Sequence, residues 1–176
     1  AGIYDVSIER VEGQLTDHYD PRKKVLRLSD SVYGSNSISA IGVAAHECGH
    51  AIQHQNSYAP LKLRSTLVPV ANFGSAIAWP LILIGLLLTG SQILIDIGII
   101  LFSTAVLFQL VTLPVEFNAS RRAIKTLGES GILHYEELNQ SKKVLNAAAL
   151  TYVAAAAATI LQLLRLILLF GGRRRD

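Results

Sequence analysis

Between Arg64 and Asp96 the chain carries no charged residue, and the same holds between Asp96 and Glu116 and between Lys143 and Arg165. A helix that crosses a bilayer needs roughly 20 predominantly apolar residues, and these stretches supply that length. Of 176 residues 51% are hydrophobic and 16% charged, against about 25% charged in an ordinary soluble domain. That is too little charge to coat a globule, so a purely soluble, disordered or collagen-like protein is excluded. Cys48 is the single cysteine, which also excludes a secreted scaffold stapled by internal disulfides.

The composition divides the chain. Residues 1–64 are mixed and polar, with seven Lys/Arg. Residues 65–115 hold two expected spans, 73–89 (able to recruit 68–72) and 93–115, joined by Gly90-Ser91-Gln92. Residues 116–143 form a polar helix and connection with five Lys/Arg. Residues 144–176 are a third hydrophobic helix, interrupted by Arg165, and a basic tail, Arg173-Arg174-Arg175. Residues 1–7 form no apolar signal segment, and the abrupt start suggests a segment upstream. The polar flanks lie on one side of a two-span excursion and carry the basic residues, so the positive-inside rule makes that side cytoplasmic. The Arg tail conflicts with a full third crossing; a re-entrant or interfacial last helix, or an exception to the rule, would resolve it. Asp96 is expected at the outer interface, or else as an intramembrane partner of Arg165.

Within the polar module, residues 14–18 and 24–28 read as short strands around the turn at Asp20-Pro21. The second could be an edge to which an extended substrate adds, or could simply close a hairpin. An Ala-rich helix follows from Ile38, with Ser37 or Ser39 as N-cap. It carries His46-Glu47-Cys48-Gly49-His50. Positions i and i+4 share a helix face, so the two imidazoles can meet one zinc ion, and Glu47 lies beside it to take a proton from water that the metal acidifies toward ~7. With five His and seven Glu in the chain, chance matches to H-E-x-x-H number on the order of 0.005. Cys48 projects about 200° from His46 and reads as helix packing.

Catalytic zinc usually takes three protein ligands. His54 is about 12 Å along the axis from His46, too far to share the ion. Gln53 and Asn56 stand where a metzincin needs Gly and His. Among the remaining carboxylates Asp96, Glu116, Glu129, Glu136, Glu137 and Asp176, topology favours Glu116, which two crossings return to the side of His46 and His50. Ala119, Ser120 and Ala123 share its helix face. The alternative is an interfacial carboxylate paired with Arg121 or Arg122.

The run His46-Glu47-Cys48-Gly49-His50-Ala51, then Tyr58-Ala59-Pro60-Leu61-Lys62-Leu63-Arg64, then Leu113-Pro114-Val115-Glu116-Phe117-Asn118-Ala119-Ser120-Arg121-Arg122, closely resembles bacterial membrane-bound neutral zinc metallopeptidases of the YugP-like group. The likeness covers nearly the whole chain, and members of that group usually begin with an additional hydrophobic helix. At the motif level it is also similar to HtpX-type gluzincin membrane proteases, in which a Glu on a later helix is the third zinc ligand; that carries over to Glu116. In those relatives an Asp four positions on supports a zinc-binding His. Ser120 stands there in this chain, with Asn118 or Ser120 as substitutes.

The expected fold is a mainly α-helical integral membrane protein: a zincin-like H-E-x-x-H helix, a small β-hairpin element and two to three membrane helices. The expected function is a zinc-dependent endopeptidase of the bacterial cell membrane with a cytoplasmic site. Zn2+ would be held by His46, His50 and Glu116, with Glu47 as general base and acid. Its partners would be a protein or peptide substrate and the lipid bilayer, not nucleic acid. The competing class is a non-catalytic adaptor in which zinc only staples the polar module. A transporter using Asp96 and Arg165 has too few spans behind it. His18, Tyr58, Asn72 and Tyr152 are oxyanion-donor candidates that the sequence does not rank.

Overall fold

The computed structural model describes residues 2–171; the Arg173-Arg174-Arg175 tail lies outside them. Two compact units emerge. The first joins residues 1–61 to 114–151, and the second joins residues 62–113 to 152–176. Both are discontinuous, because three long helices each contribute residues to both units.

The first unit opens with a three-stranded sheet, β1 (Ser7–Val11), β2 (His18–Asp20) and β3 (Val25–Ser29), in the order β1-β3-β2. The hairpin is present: β2 pairs antiparallel with β3, with Tyr19 opposite Leu26. The Asp20 carboxylate accepts from the backbone N–H groups of Arg22 and Lys23 and so closes the turn. Its first strand starts only at His18, because residues 14–17 are loop in which Asp17 caps Ser29 through both N–H and Oγ. β3 is the central strand, paired with parallel β1 on its other side. The 24–28 run therefore has no free edge, which corrects the expectation that it could add a substrate strand; the edges belong to β1 and β2. β1 escapes a period-two reading because four of its five residues are exposed, whereas Val25, Leu26 and Leu28 are buried.

Those β3 side chains pack with Val32 and Ala40, and Val43, Ala44 and Cys48 close over them. The last four belong to α1 (Ile38–Gln55), whose N-cap is Ser37, with its hydroxyl accepting from the Ala40 N–H. The Ala-rich face of α1 is thus fixed on the sheet, and Cys48 is used for packing. The opposite face meets the segments after Pro114. Ala45 clusters with Ala123, Leu127, Leu133 and Leu145, drawn from α3 (Gln92–Ser130), the turn after it and α4 (Tyr135–Phe170).

The second unit is built from α2 (Ala59–Leu83) with its π-helical continuation Ile84–Thr89, the first part of α3 and the last part of α4. Gly90, in the left-handed conformation, ends the π turn. Ala78, Ile82, Phe102, Val106 and Leu166 form its core. Gly74 lies against Leu101 and Thr104, and Gly98 against Ala78 and Ile82, so closely that a Cβ at either would fall within 3 Å of a backbone oxygen. Small residues at such crossings are what helices need where lipid supplies no hydrophobic drive for association. All three long helices are long and apolar enough to cross a membrane, and Leu87, Leu88, Ile93, Leu161 and Leu168 are exposed. Asp96 accepts from the Gln92 amide. Among the described residues it makes no ion pair with Arg165.

Candidate metal centre

His46 and His50 lie one turn apart on α1, with ring centroids 4.8 Å apart and planes nearly perpendicular. Glu116, only 2% exposed, enters between them from α3. Its Oε2 is 3.1 Å from His46 Nε2 and 3.7 Å from His50 Nε2. Among the described residues this is the group of His, Cys, Asp and Glu side chains whose donor atoms converge within 4.8 Å of one another. Bonds of about 2.0–2.1 Å to a tetrahedral zinc imply donor separations of ~3.3 Å, so the observed spacing fits the ion with small adjustments. Two imidazoles and a carboxylate are also the donor types zinc prefers.

Gly49 allows this approach. A Cβ there would sit 2.4 Å from the Ala119 carbonyl oxygen, so the α1 and α3 backbones are nearly in contact one turn from Glu116.

Each imidazole is also held from behind. Ser120 Oγ is 3.0 Å from His46 Nδ1. His50 Nδ1 meets Gln53 Oε1 at 3.0 Å. The Gln53 amide nitrogen donates to the Val115 carbonyl and to Asn118 Oδ1, which also accepts from Arg122 Nε. Because the Val115 oxygen can only accept, the amide orientation is set and its oxygen faces His50 Nδ1. His50 Nδ1 therefore carries a proton, which it donates to Gln53 Oε1.

Glu47 is buried, 8% exposed. Burial raises its pKa above the usual carboxylate value; the His50 and His46 imidazoles and the Tyr19 backbone N–H oppose this, while the Glu116 charge adds to it. At His50, burial works against the charged form, but the hydrogen bond and charge of Glu116 outweigh it and the net direction is upward. His54 is held away from the centre by the Tyr19 hydroxyl, 2.9 Å from its Nδ1.

A family model described as "Putative neutral zinc metallopeptidase" matches residues 1–171. The chain belongs to this family. A curated relative, "Putative membrane protease YugP" of Bacillus subtilis (strain 168), is 57% identical over 169 residues, 96% of this chain and 75% of that protein. No solved structure matches. Family and relative agree with what the chain itself carries: a metallopeptidase motif and apolar helices suited to a membrane.

His46, Glu47, His50 and Glu116, the four site residues expected from the sequence, all lie in the first unit. Gln53 was missed as a supporting residue. It entered the sequence reading only as a mismatch to the metzincin pattern, although its i+3 spacing from His50 on the same helix face was a usable signal. Of the oxyanion candidates, His18 bonds the Thr16 carbonyl, the Tyr58 ring takes the Arg122 guanidinium at 6.0 Å, and Asn72 and Tyr152 belong to the second unit.

Proposed function

We propose that this protein is a membrane-bound endopeptidase whose zinc is held by His46, His50 and Glu116. The observation that carries the reading is the convergence of these three donors on one point, with His50 and Glu116 buried, His46 part-buried and Glu47 next to His46 in the chain. Zinc held there supplies Lewis acidity, which acidifies water toward ~7 and polarises a carbonyl.

The residues divide the remaining work. Glu47 accepts a proton as the nucleophile forms and returns it to the leaving amine, a role suited to a carboxylate that burial makes readier to hold a proton. Ser120 and Gln53 keep the imidazole rings from turning. β2 is an edge strand, and the Tyr19 N–H reaches toward Glu47. An extended substrate lies along that edge. Membrane-associated and misfolded proteins are the proposed substrates, since Glu116 follows a charge-free apolar run on α3. The basic flanks support a cytoplasmic site.

The alternative class, a zinc-stapled adaptor, needs the ligands but not Glu47. The test is zinc stoichiometry and casein cleavage on detergent-purified parent, Glu47→Gln and Glu116→Ala. One zinc in the parent and in Glu47→Gln, loss in Glu116→Ala, and cleavage by the parent alone are expected. Parent-like activity in Glu47→Gln would remove the mechanism. Full zinc in Glu116→Ala would move the third ligand elsewhere.

A further inference from the structure

Beside the metal centre, α3 and α4 leave an open groove of about 360 Å³, lined by Phe117, Ser120, Arg121, Ile124, Lys142, Leu145 and Asn146. On α3 the lining positions are i, i+3, i+4 and i+7, one continuous helix face. That face adjoins Glu116, because Ser120 lies one turn beyond it and also contacts His46. The groove therefore adjoins the metal centre through Ser120, on the Nδ1 side of the His46 ring.

Its chemistry is asymmetric. Phe117, Ile124 and Leu145 give it an apolar floor, and Asn146 adds an amide. Arg121 and Lys142 are exposed cations that make no ion pair among the described residues, and no carboxylate lines the groove. The neighbouring cations are committed elsewhere, Arg122 to Asn118 and Lys125 to Glu129. A cavity with an apolar wall and two uncommitted cations complements a short hydrocarbon stem ending in a carboxylate.

We propose that this groove is a substrate subsite selecting a carboxylate near the scissile bond, from a Glu or Asp side chain or from a peptide C-terminus, with Arg121 and Lys142 as the specificity-determining residues. The proposal rests on the peptidase reading and adds a substrate class to it. Two exposed charge contacts set the expected size of the preference at about two- to tenfold.

The test uses the zinc-loaded, full-length protein in detergent and one peptide series that places Glu, Gln or Lys at each position flanking the cleaved bond, with free and amidated C-termini. The parent is expected to show a kcat/KM for the carboxylate-bearing peptide about two- to tenfold above the Gln or amidated version. Side-chain and C-terminal arms distinguish the two carboxylate sources. The Arg121→Glu/Lys142→Glu double variant, with zinc content equal to the parent, is expected to reverse the order and favour Lys. Equal charge preference in parent and double variant overturns the subsite while leaving the peptidase standing. Unchanged peptide preference with lost binding to anionic vesicles assigns the groove to lipid headgroups and also overturns it. Zinc-loaded protein that cleaves neither casein nor any peptide removes the peptidase reading and the subsite with it.

Discussion

Gly49→Ala tests the reasoning about the centre most sharply, because local propensity and tertiary geometry give opposite signs. In an exposed helix interior, replacing Gly by Ala stabilises by about 1 kcal/mol. Here the new Cβ would lie 2.4 Å from the Ala119 oxygen, 3.0 Å from its carbonyl carbon and 3.1 Å from its Cα. All three are backbone atoms, so no side chain can swing away. Restoring the 3.4 Å of ordinary contact requires 3.4 − 2.4 = 1.0 Å of displacement between α1 and α3 at Ala119, three residues from Glu116. Overpacking of this kind costs about 1–3 kcal/mol, which leaves a net loss of up to about 2 kcal/mol after the propensity gain. The larger effect falls on the metal, because ligand distances tolerate only about ±0.2 Å. Zinc affinity is expected to fall about 100-fold, the upper end for losing a ligand's support. A chromophoric chelator competition measures this, beside thermal melts with and without zinc. Gly128→Ala on α3 is the control, since its Cβ would meet only the end of the Leu138 side chain at 3.3 Å, and it is expected to be neutral or stabilising. A Gly49→Ala protein that melts no lower than the parent and binds zinc equally well would refute the argument.

Gln53→Leu removes the partner of His50 Nδ1 and the side-chain donor to the Val115 carbonyl. Zinc affinity is expected to fall about 10–100-fold, and Gln53→Glu is expected to fail as a rescue because its second oxygen would face two acceptors; parent-like affinity in Gln53→Leu would count against the orienting role. In the sheet, Asp30 is held below its usual pKa by the Arg10 hydrogen bond first and the Gly13 N–H second, and Asp20 by the Lys23 and Arg22 N–H groups and Arg27. A lowered folded-state pKa stabilises above the unfolded value of 3.8 and is lost as pH falls through the depressed one. The stability gap between parent and Asp30→Asn, followed by far-UV circular dichroism, should therefore be present at pH 6 and close below pH 3.8.

What the sequence made legible follows from the reach of its signals. The charge-free runs gave the three long helices because length and composition suffice to define them, and Ser37 was readable as a cap because its hydroxyl acts on the Ala40 N–H three residues away. His46 and His50 follow from helical period. Glu116, 70 residues beyond His46, needed an argument from topology, and the structure brings it between them. β1 was invisible because its partner β3 lies beyond the intervening β2, and its exposed residues carry no hydrophobic alternation. Gln53 was missed because its meaning depends on a backbone carbonyl in a different helix. The π-helical turn at Ile84–Thr89 likewise carries no hydrophobic pattern that separates it from the α2 residues before it.

The first unit is assembled from residues on both sides of an interruption, residues 1–61 and 114–151. For a chain emerging from a ribosome this sets an order of events. The H-E-x-x-H helix is synthesised early, but its carboxylate partner arrives only after both intervening apolar segments have been made. Convergence of His46, His50 and Glu116 therefore waits until both apolar segments have been made. A truncated or stalled product ending before Pro114 has the H-E-x-x-H motif without Glu116. On the proposed reading, hydrolytic competence in this architecture would be acquired late in biogenesis.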